Sequence, residues 1–156
     1  MNPLDLTIEN CLWFGKNFAY NLDFVPEDKL HWKPVETSKS AAEITTEVLG
    51  VFGFVRGLFN PTDAQPEGYA NIKTRDEAKA KLLETTRSYA EFLRGLKPED
   101  LEGTYDTPFG PFPKKRLAIL PVQEISHHHG QITYLQTMWG DKDSHLHEMD
   151  PDYKEG

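Results

Sequence analysis

Apolar residues recur at helical spacing in four separate stretches of the chain. In the first stretch, from about residue 4 to residue 22, they fall three or four positions apart and so lie along one face of a helix. The apolar positions of that face are Leu4, Ile8, Cys11, Leu12, Gly15, Phe18 and Leu22. The same kind of pattern continues in stretches that run from 40 to 59, from 74 to about 95 or 98, and from 114 to 139. It predicts four helices of roughly 20 residues each.

Capping signals mark the starts of the second and third helices. Ser40 is followed three residues later by Glu43, and Thr74 is followed in the same way by Glu77. In such a capping box, each side chain accepts a hydrogen bond from a backbone N–H that the first helical turn leaves without a partner. Pro121 lies within the fourth stretch and predicts a kink or a late start there, because proline removes one hydrogen bond of the helix.

The connection between the third and fourth helices, residues 97–113, is rich in residues that interrupt regular structure. It contains two glycines and four prolines, so we expect it to be irregular, and the sequence shows no convincing strand pattern. Four helices without strands predict an all-α fold, an antiparallel four-helix bundle. We expect residues 1–140 to form this single domain and residues 141–156 to form a polar, solvated tail that includes His145 and His147.

The charge and composition exclude several classes of function. The chain has 17 Lys and Arg against 25 Asp and Glu, a formal net charge of -8, and an acidic surface repels the phosphates of nucleic acids. No apolar run reaches the roughly 20 residues that a membrane span needs. The first residues lack the basic start of a secretory signal, so we expect a cytoplasmic protein. Cys11 is the only cysteine, which excludes an intrachain disulfide and predicts a small buried hydrophobic residue.

Glu47 lies on the apolar face of the second helix, in line with Ile44, Val51 and Val55. A carboxylate in such a position is unfavourable unless a cation, a bound proton or a metal ion compensates it. The alternative is a slight rotation of the helix that leaves Glu47 at the edge of the face, in water. For a single glutamate this alternative is the commoner case.

A second acid and a histidine share one face of the fourth helix. Glu124 and His128 are four residues apart, so their side chains project one turn apart from the same face. A carboxylate and an imidazole in this arrangement can chelate a divalent ion such as Zn, Ni, Mn or Fe. His127 and His129 point about 100° to either side of His128. A surface cluster of histidines, or one core histidine between two exposed ones, is the alternative.

Two helices thus each place an acid on an otherwise apolar face, and a shared metal ion would satisfy both acids and His128 together. A ferritin-like di-iron centre is disfavoured, because Glu124-x-x-His127 has no second copy in the chain. The sequence also lacks the glycine-flanked serine of many hydrolases and a glycine-rich phosphate loop, which disfavours catalysis without a metal.

Two motifs give the chain a resemblance to a known family. The first is Leu30-x-Trp32-x-Pro34 followed by Lys39-Ser40-Ala41-Ala42-Glu43-Ile44, and the second is His127-His128-x-Gly130-Gln131. Together with the four-helix pattern, they make the chain resemble the DinB-like superfamily, also called the YfiT-like metalloenzymes. The resemblance spans nearly the whole chain, and it implies an up-down-down-up bundle that often forms a homodimer.

The resemblance also implies a divalent metal ion held by three histidines, one from the second helix and two from an H-x-x-x-H on the fourth. In this chain the corresponding positions are Glu47, Glu124 and His128. Glutamate therefore replaces two of the family's three ligand histidines, at the same two positions that the helical pattern singles out. Two carboxylates and one imidazole still suit a divalent cation, and the added negative charge favours harder ions such as Mn or Mg over Zn.

Two functions follow from the resemblance. The first is a metal-dependent enzyme of the thiol-dependent S-transferase or hydrolase type, in which metal at this site activates a low-molecular-weight thiol or water toward a small-molecule substrate. The second is a non-catalytic bundle with a degenerate metal site, which binds a small ligand or a protein partner as a module of the stress response. Metal content decides between the two.

Overall fold

Four long helices form where the apolar pattern predicts them. The computed structural model describes residues 4–65 and 71–153. Within these residues the long helices are α1 Asp5–Leu22, α2 Ala41–Phe59, α3 Arg75–Gly95 and α4 Lys114–Met138. Their ends agree with the predicted ends to within a residue or so, and Pro121 lies inside α4 rather than at its start.

The starts of α2 and α3 are capped by side chains. The Ser40 hydroxyl accepts a hydrogen bond from the N–H of Glu43 at 3.3 Å, and the Glu43 carboxylate accepts one from the N–H of Ser40 at 2.9 Å. The capping box predicted for α2 is therefore confirmed. At α3 only half of the predicted box forms. The Thr74 hydroxyl accepts from the N–H of Glu77 at 3.2 Å, but the Glu77 carboxylate accepts from the N–H of Lys73, one residue outside the predicted box.

Side-chain contacts give α1 and α4 the same direction. Thr7 and Ile119, each near the start of its helix, line one groove, and farther along Phe18 stacks on His129 with ring centroids 5.7 Å apart. The same holds for α2 and α3, whose aromatic side chains pair in order along the two helices: Phe52 with Tyr89, and Phe59 with Phe92.

The α1 and α3 helices run in opposite directions. The Cys11 thiol contacts the backbone oxygen of Thr86 at 3.6 Å, whereas Asp23, just after α1, forms an ion pair with Lys79 near the start of α3. With α1 parallel to α4 and α2 parallel to α3, the course is up-down-down-up. The fold that the family resemblance implies is therefore confirmed.

The core lies between the four helices. Its largest fully buried side chains come from all of them: Phe18, Leu22, Leu49, Phe52, Leu82, Tyr89, Leu93, Leu117, Ile125 and Ile132. Cys11 is fully buried among them, as predicted, and burial raises the pKa of its thiol to about 12. Among residues 4–65 and 71–153, no helix combines the length and the apolar composition that crossing a lipid bilayer demands.

A short β-hairpin precedes α4, and the expectation of an irregular connection is wrong there. Strand β1, Thr104–Thr107, pairs antiparallel with strand β2, Gly110–Pro113. Gly110 has a φ of 102°, which favours glycine, and its carbonyl accepts a hydrogen bond from the Thr107 hydroxyl at 2.7 Å. The prolines fit because a two-stranded ribbon leaves half of its backbone N–H groups without a required partner.

Part of the C-terminal tail packs against α1, and the expectation of solvation is wrong for His145 and His147, whose side chains are only 9% and 8% exposed. The side-chain oxygen of Asn17 accepts a hydrogen bond from the backbone N–H of His147 at 3.0 Å and contacts the His147 ring nitrogen Nδ1 at 2.8 Å. Only 7% of His147 is exposed. Farther on, the Tyr20 hydroxyl donates to Asp150 at 2.6 Å.

Candidate metal centre

The antiparallel packing of α2 against α4 brings the three predicted ligand positions together. The His128 Nε2 atom lies 3.4 Å from an oxygen of Glu124 and 3.7 Å from an oxygen of Glu47. The imidazole is almost fully buried, with 5% of its side chain exposed, whereas the two carboxylates are 34% and 38% exposed. Both acids therefore lie at the rim of the bundle, in front of a buried histidine.

The sequence leaves two alternatives for Glu47, a compensated position on the apolar face or a position in water at its edge, and the structure combines features of both. Its side chain is part-exposed at the edge of the apolar face, yet one oxygen reaches inward to His128. Ile44 and Val48, on either side of it along α2, are buried and hold this helix against the bundle. On α4, burial of Ile125 and Ile132 fixes the face that carries His128.

Gln131 sets the orientation and the tautomer of the His128 ring. Its side-chain oxygen lies 2.8 Å from His128 Nδ1. An amide oxygen can only accept a hydrogen bond, so Nδ1 carries a hydrogen, and the lone pair of a neutral His128 ring would be on Nε2, on the side of the two acids. This is the arrangement that metal-binding histidines need, with the far nitrogen held by a polar partner. The Gln131 amide nitrogen in turn contacts His127 Nε2 at 3.2 Å.

The three consecutive histidines have three different surroundings, as the 100° step of a helix predicts. His127 is exposed. His129 points toward α1 and stacks on Phe18, and burial lowers the pKa of its ring. Only His128 faces Glu47 and Glu124.

Lys39 is a further charged group at this site. Its ammonium forms an ion pair with the same Glu47 oxygen that faces His128. Lys39 lies just before Ser40, the residue that caps α2. The connection before α2 therefore brings this cation alongside the second turn of α2. Glu47 is therefore compensated in this structure by a side-chain cation.

The donor atoms suit a divalent cation in kind, and so do the two separations from His128 Nε2. Ligand atoms bound tetrahedrally to one ion at about 2.1 Å lie about 3.4 Å apart, close to the separations around His128 Nε2. In the part of the chain that the structure describes, however, no three His, Cys, Asp or Glu side chains are already gathered around one point as a complete metal-binding set. The Glu47 oxygen that faces His128 is instead paired with Lys39.

A cavity of about 470 Å³ adjoins the site. Its apolar walls include Pro34, Ile44 and Leu135, and its polar side chains include Lys39, His127 and Gln131. Two of these, Lys39 and Gln131, also contact the candidate ligands. The cavity and the cluster of Glu47, Glu124 and His128 are thus parts of one region.

Comparison with known proteins identifies the family. The sequence profile of the DinB superfamily matches residues 15–132, a span that includes all three candidate ligands. The chain belongs to the DinB superfamily. The resemblance that the two sequence motifs indicate is thereby confirmed.

Among solved structures, this DinB-superfamily chain is similar to a DinB-like protein, YjoA, from Bacillus subtilis. The two share 19% sequence identity with a TM-score of 0.69, and the match covers 89% of this chain and 95% of YjoA. At that identity the likeness establishes the fold alone. No curated protein matches the chain significantly.

Two residues of the site in this DinB-superfamily chain lay outside the predicted ligand set. Gln131 is three residues after His128, so the helical spacing that pairs Glu124 with His128 also carries a signal for Gln131. Lys39 has no such signal, because it precedes the helix and reaches Glu47 only through the course of the connection.

Proposed function

We propose that this protein is a divalent-metal-dependent enzyme of the S-transferase or hydrolase type, with the metal ion held by Glu47, Glu124 and His128 between α2 and α4. The convergence of two carboxylates on one buried imidazole supports the proposal most directly, at 3.4 and 3.7 Å from His128 Nε2. Membership of the DinB superfamily supports the same choice of positions.

Each residue has a separate task in this proposal. His128 supplies a nitrogen lone pair whose direction Gln131 fixes through Nδ1. Glu47 and Glu124 supply negative charge, and their partial exposure leaves one side of the centre open toward a substrate. A bound divalent ion would supply Lewis acidity, which favours the deprotonated form of a thiol or a water molecule. The adjoining cavity would hold the body of the substrate close to this open side.

Metal binding to the stripped protein tests the site directly. We expect one or more of Zn²⁺, Ni²⁺, Mn²⁺ and Fe²⁺ to bind in calorimetry and to raise the melting temperature. Binding to the folded state alone stabilises it by about 2.7 kcal/mol at a hundredfold excess over Kd. Glu124→Gln and His128→Gln should abolish the shift. Glu91→Gln is the matched control, because that exposed glutamate lies on α3 and pairs with Arg94.

Activity is tested separately with a set of low-molecular-weight thiols and electrophilic acceptors, with and without chelator. We expect conjugation that requires metal and that Glu124→Gln removes. Failure of the wild-type protein to bind any of the four ions would end the metal-dependent proposal. Binding that survives in both Glu124→Gln and His128→Gln would end the assignment of the ligands.

The ion pair between Lys39 and Glu47 favours a second candidate, a non-catalytic bundle that binds a small ligand or a protein partner. In that case Lys39, rather than a metal ion, permanently neutralises the charge of Glu47. The two candidates differ in one measurement. Glu47→Gln should destroy metal-dependent stabilisation in the enzyme, whereas in a non-catalytic bundle wild-type stability is the same with and without metal.

A further inference from the structure

Lys39 stands between the candidate centre and the adjoining cavity. Its ammonium contacts Glu47, and its side chain also lines the cavity. About half of the side chain, 51%, is exposed, so little packing opposes its rotation. Of the described residues that line the cavity, Lys39 alone carries a formal charge at neutral pH.

The cavity has the size and lining of a small-molecule site. Its volume of about 470 Å³ lies within the range of roughly 300–1,000 Å³ that is typical of such sites. Pro34, Ile44 and Leu135 offer apolar surface to the body of a ligand, while Lys39 offers a cation at the side that faces Glu47. A ligand that matches this lining has an apolar body and one anionic end.

Glu47 cannot serve Lys39 and a metal ion equally well. The oxygen that pairs with Lys39 is also the one that faces His128 Nε2. A divalent ion between Glu47 and His128 would lie within a few ångströms of the ammonium, and two cations at that separation repel each other strongly. The weaker and more mobile of the two, the lysine side chain, is the one that leaves.

Once displaced, the Lys39 ammonium finds no carboxylate among the described residues that line the cavity. Its three N–H donors are then open to a ligand. A carboxylate is a suitable partner, because a charge-assisted hydrogen bond is about twice as strong as a neutral one.

We propose that the cavity binds a small organic carboxylate with an apolar body, and that Lys39 moves from Glu47 to the carboxylate of this ligand when a divalent ion binds. This inference rests on the proposed function, because the metal ion is what displaces Lys39. It adds the substrate class and a coupling between the two sites. By linkage, metal raises the affinity for the carboxylate by the same factor by which the carboxylate raises the affinity for metal.

Calorimetry with a matched pair of probes tests the inference. The probes are 4-phenylbutyrate and 4-phenylbutanamide, which have the same body and differ in charge, and each is titrated into stripped and zinc-loaded protein. We expect zinc-loaded wild type to bind the carboxylate about tenfold more tightly than the amide, as one charge-assisted hydrogen bond provides. In the stripped protein, where Glu47 still holds Lys39, the preference should shrink to within about threefold.

The Lys39→Met variant separates the role of this residue from attraction by the metal ion itself. We expect Lys39→Met to lose the preference for the carboxylate in the zinc-loaded state and to bind zinc several-fold more tightly than wild type, because no ammonium competes for Glu47. Lys33→Met is the matched control. Lys33 precedes α2 on the same connection and pairs with Glu43 at 2.6 Å, with 37% of its side chain exposed.

The outcomes distinguish this inference from the proposed function. Zinc binding without a preference for the carboxylate, or with the same preference in Lys39→Met as in wild type, would overturn the inference and leave the metal site intact. Failure of both wild type and Lys39→Met to bind any of Zn²⁺, Ni²⁺, Mn²⁺ and Fe²⁺ would overturn the metal site and the movement of Lys39 together. An equal loss of preference in Lys33→Met would show that the preference depends on the net charge of this region and not on Lys39 itself. That result would also overturn the inference.

Discussion

At the scale of single residues, Gly15 shows how closely α1 and α3 approach. A Cβ atom at this position would lie 2.8 Å from the Cβ of Thr86, a distance that real side chains do not reach. Thr86 is itself buried and bonded to the carbonyl of Leu82, so it has no room to withdraw. Gly15 is therefore required by the packing of the two helices and not by a special backbone conformation.

Gly15→Ala should destabilise the bundle by about 1–3 kcal/mol, because overpacking forces either Thr86 or the α1 backbone to shift. Chemical denaturation measures the change. The control is Gly50→Ala on α2, where a new Cβ meets nothing within 4 Å. There alanine should stabilise the protein by about 0.5–1 kcal/mol, since glycine is unfavourable inside a helix. Equal effects at the two positions would contradict the close approach.

The positions of Glu47, Glu124 and His128 could be predicted at this scale because each lies on a helix with a clear apolar face. The helical spacing fixes the face of the helix from which each side chain projects. The antiparallel packing of the two amphipathic helices then brings these faces together. What the spacing could not provide was the ion pair of Glu47 with Lys39. That contact depends on the path of the connection before α2, and connections carry no periodic signal.

At the scale of elements, the four helices followed from the sequence, whereas the hairpin and the packing of the tail did not. The segment from Thr104 to Pro113 contains three prolines that conceal a strand pattern, and its pairing is held by turn geometry at Gly110. The tail is polar, so composition predicts solvation. Its attachment depends on polar side chains of α1 that the apolar pattern passes over, namely the buried amides of Asn17 and Asn21 and the hydroxyl of Tyr20.

The contact between Tyr20 and Asp150 predicts how attachment of the tail responds to pH. The hydrogen bond from Tyr20 to Asp150 raises the pKa of Tyr20 from 10.0 to about 12 and lowers the pKa of Asp150 from 3.8. The raised pKa of Tyr20 gives stability that is complete below pH 10 and is lost as the pH rises toward 12. The lowered pKa of Asp150 gives a second contribution to stability, which is complete above pH 3.8, the ordinary pKa of an aspartate. This contribution is lost as the pH falls through the lower pKa that Asp150 has in the folded protein.

Tyr20→Phe removes both contributions, so we expect its melting temperature to lie below that of wild type near neutral pH and to approach wild type at both extremes. Thermal unfolding of the two proteins across the pH range measures the difference. Tyr134→Phe is the control, because that tyrosine is 68% exposed and lies on α4 away from the tail. A constant difference between Tyr20→Phe and wild type at every pH would contradict the role of this hydrogen bond.

At the scale of the whole molecule, the candidate centre and Cys11 lie at different helix–helix interfaces. The cluster of Glu47, Glu124 and His128 joins α2 to α4, while Cys11 is sealed between α1 and α3. Cys11 is the only thiol of the chain and is fully buried, with a pKa raised by burial to about 12. Its modification therefore reports opening of the α1–α3 interface, to which none of the three candidate ligands belongs.

If the four helices unfold as one cooperative unit, metal at the α2–α4 interface must protect Cys11 at the α1–α3 interface. We expect the rate of alkylation of Cys11 by iodoacetamide to fall about a hundredfold when Mn²⁺ is present at a hundredfold excess over its Kd, because the metal shifts the opening equilibrium by that factor. Glu124→Gln should alkylate at the same rate with and without Mn²⁺. A raised melting temperature with unchanged alkylation of wild type would mean that α1 opens on its own. The bundle would then consist of two units, with the metal stabilising only the one that contains α2 and α4.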